Sequence, residues 1–149
     1  MSIQIVVFKL GVEEYAIEIS AIEGIIKMQT ITKLPHAHDF VAGVTNLRGN
    51  IVPVIDLKRR LRLPQTEITI ETRIIVALLY DTKIGMIVDA VSQVVEIPDS
   101  NIEPAPAITT SIDSTFIRGI VKIEDALVIL LDLDSVFSSN EKGKRKTDE

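Results

Sequence analysis

Apolar positions along the chain fall in short runs: Ile5–Leu10, Tyr15–Ile19, Ile74–Leu79, Ile84–Val88, Val94–Ile97, Phe116–Ile123 and Leu127–Leu131. Polar turn-formers bound them, as in Gly11-Val12-Glu13-Glu14, Asp81-Thr82-Lys83 and Glu124-Asp125. Short β-branched runs at this spacing predict strands, and an all-β barrel or sandwich. Many runs are continuous instead of alternating, which predicts strands covered on both faces.

The pattern occurs twice. FVAGVTNLRGNIVPVIDLKRRL (40–61) lies over FIRGIVKIEDALVILLDLDSVF (116–137) at a constant offset of 76, with Phe40/Phe116, Gly43/Gly119, Val52/Val128, Asp56/Asp132 and Leu57/Leu133 identical. Ile5–Ile26 lies over Ile74–Val95 at an offset of 69, and Pro35 falls on Pro104 at that offset, which places seven extra residues of the second half between Pro104 and Phe116. Such internal repetition points to one small unit used twice. Each unit reads as strand, hairpin, strand, a crooked connection (20–22; 89–91), strand, proline-marked loop, strand, tight turn, strand and a short helical end. Five short strands suit a small closed barrel, because closure removes the edges. The expectation is a single domain over 1–137 with repeats at about 3–62 and 72–137. Whether each repeat closes on itself or the halves exchange strands stays open. Leu63–Glu67 reads as a linker and 138–149 as a disordered polar tail.

Composition narrows the chemistry. Aromatics make up 4% with no Trp, so the core must be Ile, Val and Leu. A net charge of −5 argues against nucleic acid, which needs a basic footprint. The absence of Cys removes disulfides, thiolate metal sites and thiol nucleophiles. The N-terminus lacks the pattern of a signal peptide, and no apolar stretch reaches the roughly 18 residues of a membrane helix. A cytoplasmic setting is expected.

Asp56 and Asp132 occupy equivalent ends of apolar strands and raise the thought of an aspartic-protease dyad. The residues that follow, Leu57-Lys58 and Leu133-Asp134, do not form the Asp-Ser/Thr-Gly loop of such enzymes, and a helix N-cap accounts for both carboxylates. His36 and His38, with Asp39, form the one His-x-His group, on a segment that reads as a surface turn with no further ligands nearby. The seven glycines are scattered, so there is no phosphate loop. Gly43 and Gly119 point to a bend or a close backbone approach. No catalytic constellation emerges. Two features stay unabsorbed. Arg48 sits at a hairpin tip whose counterpart is Glu124-Asp125, so the fold does not demand arginine there; it reads either as a solvated turn residue or as a bidentate contact to a partner's carboxylate, and spacing does not separate the two. And Ile22, Ile25 and Ile26, with counterparts Val91, Val94 and Val95, are too many for one small barrel interior. Exposed members would form an apolar interface patch.

GVTNLRGNIVPVIDL (43–57), FKLGVEEYAIEISAIEGI (8–25) and IGMIVDAVSQVVEI (84–97) with IEPAP (102–106) resemble the CheW-like coupling proteins of bacterial chemotaxis over about Ile3 to Phe137. The resemblance implies two SH3-like five-stranded β-barrels, no enzymatic activity and no cofactor. It implies an adaptor that bridges chemoreceptor cytoplasmic tips and the regulatory domain of the CheA-type histidine kinase. It would act as a monomer when isolated and be recruited from the cytoplasm to receptor arrays. By the same resemblance Ile22, Arg48, Val91 and Val94 would lie in or near the receptor-binding groove, and Ile31, Thr32, Ala42 and Gly43 would face the kinase. The family often carries Glu where this chain has Gly24, so Glu23 would serve instead or the contact would differ. The alternative is a stand-alone β-barrel binding module outside chemotaxis.

Overall fold

The computed structural model describes residues 1–104 and 112–137. The strands are β1 (Ser2–Leu10), β2 (Glu13–Glu18), β3 (Ile22–Lys27), β4 (Val41–Leu47), β5 (Asn50–Asp56), β6 (Arg73–Leu79), β7 (Thr82–Val88), β8 (Ala90–Pro98), β9 (Ile102–Glu103), β10 (Ile117–Ile123) and β11 (Ala126–Leu131). Short helices α1 (Leu57–Arg60) and α2 (133–137) end the two repeats. The fold is thus all-β with two SH3-like barrels. The crooked connection after β2 is a single 3-10 turn at Ile19–Ala21, which turns the chain out of its first hairpin.

The halves exchange strands. One sheet runs β8-β1-β2-β11-β10-β9 and the other β3-β6-β7-β5-β4. The β1–β2 hairpin of the first repeat is therefore sewn between β8 and β11 of the second, and the β6–β7 hairpin of the second between β3 and β5 of the first. The registers obey the repeat: Ile5 faces Val95 as Ile74 faces Ile26. In the parallel pairs, Leu130 faces Ala16 as Val54 faces Gly85. Each barrel closes through a bent strand that pairs at both edges of its sheet. β8 passes through a 3-10 turn at Asp99–Asn101 into β9, which pairs with β10. On the other side the chain beyond β3 reaches Thr32, which pairs with Val44. Closure spares the protein two adhesive edges.

The closing pairs correct one alignment. Thr32 opposite Val44 corresponds to Glu103 opposite Ile120, an offset of 71. Two of the seven extra residues therefore precede the closing strand and five follow it. Pro35 and Pro104 are therefore not equivalent: the second half spends two more residues, along the longer β8 and its 3-10 turn, before it reaches its seam.

Three apolar cores result. Ile5, Val7, Ala16, Ile97, Val121, Val128 and Leu130 fill one barrel. Val54, Ile74 and Val76, with half-buried Ile26, Met28, Ile31, Ala42 and Leu47, fill the other. The largest cluster lies between the sheets and draws on both, with Phe8, Tyr15, Ile17, Ile55, Leu57, Ile75, Met86, Phe116, Leu131, Leu133 and Val136 among its members. Buried strands thus have one face in a barrel and one in the shared core, which is why the runs read as continuous.

Candidate partner-binding site

The six apolar residues beyond the crooked connections sort by symmetry. Ile26 and Val95 turn into their barrels. Ile22, opposite Ala77, and Val91, opposite Phe8, rest half-buried against the shared core. Ile25, opposite Ile75, is 39% exposed, and Val94, opposite Val6, is 49% exposed. Cross-strand partners point to one side of a sheet. The two residue pairs 22/25 and 91/94 therefore line the outer faces that meet at the shared core, as two matching apolar rims. Glu23, between them in sequence, turns out to Lys83 at 3.0 Å.

Arg48 and Gly49 form the two-residue turn between Leu47 and Asn50, with φ of +52° and +86°. Positive φ at both positions is the type I′ hairpin, whose twist matches that of the strands. Asn46 Oδ1 braces it by accepting from the Gly49 N–H at 2.9 Å. Glycine or asparagine suits position 48, whereas arginine bears a steric cost there. Its side chain is exposed and has no hydrogen bond or ion pair among the described residues. Since β4 runs antiparallel to β5, and β5 parallel to β7, the Arg48 turn shares a barrel end with the β6–β7 turn and the start of β3. The equivalent end of the other barrel presents Glu13, Glu14, Glu124 and Asp125, so the duplicated fold carries opposite local charge at matching places.

Ile31, Thr32, Ala42 and Gly43 lie together along the seam that closes the second barrel. Thr32 and Val44 exchange N–H···O bonds of 2.9 Å in both directions. Gly43 has φ +146° and is buried; a Cβ there would fall on the Thr32 carbonyl. Gly119 is likewise crossed by Ile102 and Glu103. Both glycines thus answer to a close backbone approach. Ile31 and Ala42 back onto the barrel core, and Thr32 alone of the four is exposed. A hollow of about 280 Å³ flanks the seam, lined by Leu34, His38, Val41, Ala42, Asp56 and Arg59 among others.

The aspartates are caps. Asp56 accepts from the Arg59 N–H at 3.3 Å and Asp132 from the Ser135 N–H at 3.4 Å, each at the start of its helix. Among the described residues no group of three or more His, Cys, Asp or Glu is placed to hold a metal ion. No helix among them is long and apolar enough to cross a membrane.

Two basic residues carry structural weight that the sequence pattern hides. Lys58 is buried, with Nζ 2.7 Å from Asp89 Oδ1 and in contact with the Thr66 hydroxyl. Asp89 Oδ2 accepts from the Gly11 N–H at 2.6 Å. This cluster ties α1, the linker between the repeats and the β1–β2 turn together. Burial pushes the Asp89 carboxyl up, but hydrogen bonds from Lys58, Gly11 and Thr66 outweigh it and hold the group below its ordinary value. Arg60 lies between the equivalent rings of Phe40 (4.9 Å) and Phe116 (4.5 Å), and its Nε donates to the Val136 carbonyl at 2.6 Å. Val136 is its own counterpart in the repeat, so Arg60 marks the pseudo-twofold axis. LKRR after a strand reads as an exposed basic turn; only the coincidence of Arg60 with Val136 at offset 76 could have hinted otherwise.

A CheW-like domain model matches residues 4–141. The chain belongs to the CheW-like family. Chemotaxis protein CheW of Rhizobium meliloti (strain 1021) is 37% identical over 139 residues, covering 93% of this chain and 90% of that protein. The Bacillus subtilis (strain 168) chemotaxis protein CheW is 40% identical over 134 residues, covering 90% and 86%. Among solved structures, the scaffolding protein TtCheW from Thermoanaerobacter tengcongensis superposes with a TM-score of 0.86 at 40% identity, covering 93% and 89%. Membership of the CheW-like family makes the chain a chemotaxis adaptor and not an enzyme, and its barrels are the family fold.

Proposed function

We propose that this CheW-like chain couples chemoreceptor cytoplasmic tips to the regulatory domain of a CheA-type histidine kinase, in the cytoplasm at receptor arrays. The observation that carries the reading is Arg48, an exposed cation without a partner among the described residues, on a backbone that disfavours it, at the barrel end where β3 begins. Glu124 at the matching turn shares the positive φ (+54°), so what sets Arg48 apart is its cationic side chain with no ion pair among the described residues. In this reading Arg48 takes a receptor carboxylate, and Ile22, Val91 and Val94 take the apolar side of the receptor helices. The seam of Ile31, Thr32, Ala42 and Gly43 shapes the kinase face, with Thr32 in direct contact and Gly43 acting through the backbone path it permits. One rigid chain then holds receptor and kinase in a fixed relation, and array geometry multiplies modest affinities. It works as a monomer in isolation.

Calorimetric titration tests this with two partners from the same cell: the kinase regulatory domain and a receptor-tip fragment. Saturable one-to-one binding of both is expected. Arg48→Glu should weaken receptor binding at least tenfold, leave kinase binding within twofold and preserve the circular dichroism spectrum. A chain that bound neither partner at high micromolar concentration would sink the proposal.

A further inference from the structure

The duplicated fold ties its two halves unequally. Both begin alike. The Asp56 N–H donates to the Phe40 carbonyl at 2.7 Å and the Asp132 N–H to the Phe116 carbonyl at 2.8 Å, so each short helix is fastened to the residue that leads into β4 or β10. Only the first half carries the path further. Lys58, two residues on, reaches Asp89, the bend that opens β8, at 2.7 Å. The counterpart of Lys58 at the offset of 76 is Asp134, and the counterpart of Asp89 at the offset of 69 is Ser20. Those two share no hydrogen bond. Asp134 accepts from the Tyr80 hydroxyl at 3.3 Å, and the Ser20 hydroxyl donates to Glu18 at 3.4 Å. β3 nevertheless pairs with β6 as β8 pairs with β1. The crooked connection therefore closes without an ion pair, and buried pairs can often be replaced by neutral groups of similar volume. What Lys58 adds is a fixed position. Asp89 Oδ1 also accepts from the Thr66 hydroxyl at 3.0 Å, and the Lys58 side chain is only 5% exposed, so water has little access to loosen the pair.

We propose that Lys58 is a positioning residue for receptor binding and acts through Asp89. Ala90 follows Asp89 directly, and Val91 and Val94 form the rim assigned above to the receptor. In the other direction α1 leads through Asp56 and Phe40 into β4, and Asp56 and Arg59 line the hollow beside the kinase seam. The path from Phe40 through Asp56, Lys58 and Asp89 to Val91 thus holds the β8 rim at one place relative to that seam. The Ile22/Ile25 rim follows Ser20, which no hydrogen bond among the described residues ties to α2. The two matching rims therefore differ in kind: one is preset by α1 and the other is not. A preset rim presents its valines to the receptor helix without an ordering cost on binding. This rests on the receptor-binding role proposed above and adds the residue that sets the rim.

The double variant Lys58→Met/Asp89→Asn removes the tie, leaves no orphaned charge and keeps an acceptor for the Gly11 N–H. Backbone hydrogen exchange reads the tie with no partner present. Exchange at 90–94 should quicken about tenfold, with 22–26 within about twofold of the parent. Fluorescence anisotropy with purified cytoplasmic-tip fragments of the chemoreceptors from the same cell reads receptor affinity, and titration with the kinase regulatory domain reads the seam, both well below the melting temperature. Receptor affinity should fall about fivefold or more and kinase affinity stay within about twofold. Unchanged exchange at 90–94, or the same quickening at 22–26, overturns the inference. So does receptor affinity equal to the parent's. A matched fall in both affinities overturns it too, because the pair would then serve the body as a whole. Should the double variant fail to fold, Asp89→Asn alone, which keeps an oxygen for both Lys58 and Gly11, is read in the same way with smaller changes expected. If the parent binds the kinase domain but no receptor fragment, the receptor role fails and this inference with it, while the exchange reading still reports the tie by itself.

Discussion

Arg48 combines a backbone that suits glycine with an exposed side chain that makes no hydrogen bond or ion pair among the described residues. Arg48→Gly should therefore raise stability by about 1 kcal/mol through relief of the left-handed conformation, measured by urea denaturation, while receptor binding falls. A gain in stability bought by loss of binding is the pattern of a residue kept for a partner. Lys58 is the opposite case. Lys58→Met leaves the Asp89 carboxylate short of its cation, and removing one member of a buried pair costs about 3–5 kcal/mol. Because the Asp89 carboxyl titrates below its ordinary value in the folded state, its contribution is whole above about pH 4 and is lost as the pH falls through the folded value. Urea midpoints measured from pH 7 down to pH 3 should show a steep acid limb in the parent and a flatter one in Asp89→Asn. At this scale the sequence was half legible. The two cap aspartates could be read because a cap is a local device. Lys58 could not, since its burial depends on Asp89 and Thr66, which reach it from the bend between β7 and β8 and from the linker.

The elements follow the apolar runs closely. The predicted Ile74–Leu79 run is β6 with one further residue, and the Ile84–Val88 run is β7 extended back to Thr82. Phe116 opens a run in the sequence but belongs to a 3-10 turn at Ser114–Phe116 capped by Asp113, with the strand starting at Ile117. The two-residue β9 carries too few apolar residues to signal itself. Yet the closing strands exact the strictest local demand in the fold. Gly43 must let the Thr32 backbone lie directly on it, at a φ open to glycine. Gly43→Ala should cost at least about 2 kcal/mol, near the upper part of the range for single substitutions. Gly119→Ala should cost less, because its φ lies outside the positive range and the Glu103 carbonyl oxygen would stand 2.8 Å from the new Cβ, whereas at Gly43 the Thr32 carbonyl oxygen would stand well inside that distance. Thermal denaturation of the two variants, side by side, reads the difference; equal losses would mean the φ at Gly43 matters little.

For the whole molecule, the duplication was legible and its consequence was not. Periodicity shows that β1 needs neighbours, but any strand of the right pattern satisfies it, whether from its own repeat or the other. The exchange is decided by the short turn at Ile19–Ala21, which sends the chain into the opposite sheet. Neither repeat then owns a complete barrel, and the largest core belongs to both. Unfolding should be a single transition by calorimetry, with equal calorimetric and van't Hoff enthalpies. Fragments 1–66 and 67–149 should each lack stable structure alone and regain the β spectrum when mixed. A folded isolated half would contradict the exchange. The receptor and kinase faces proposed above thus lie on one cooperative body, which suits a part whose task is to hold two others at a set spacing.

The exchanged hairpins also bear on what one repeat could be alone. A single copy of this unit, standing alone, would present a hairpin with no strands to receive it and a sheet with a gap of the same shape. Two such chains would complete each other about a twofold axis, where Arg60 now meets Val136. A lone repeat would therefore be complete only as a homodimer, and the residues from Leu63 to Thr72 are what hold the two copies in one chain.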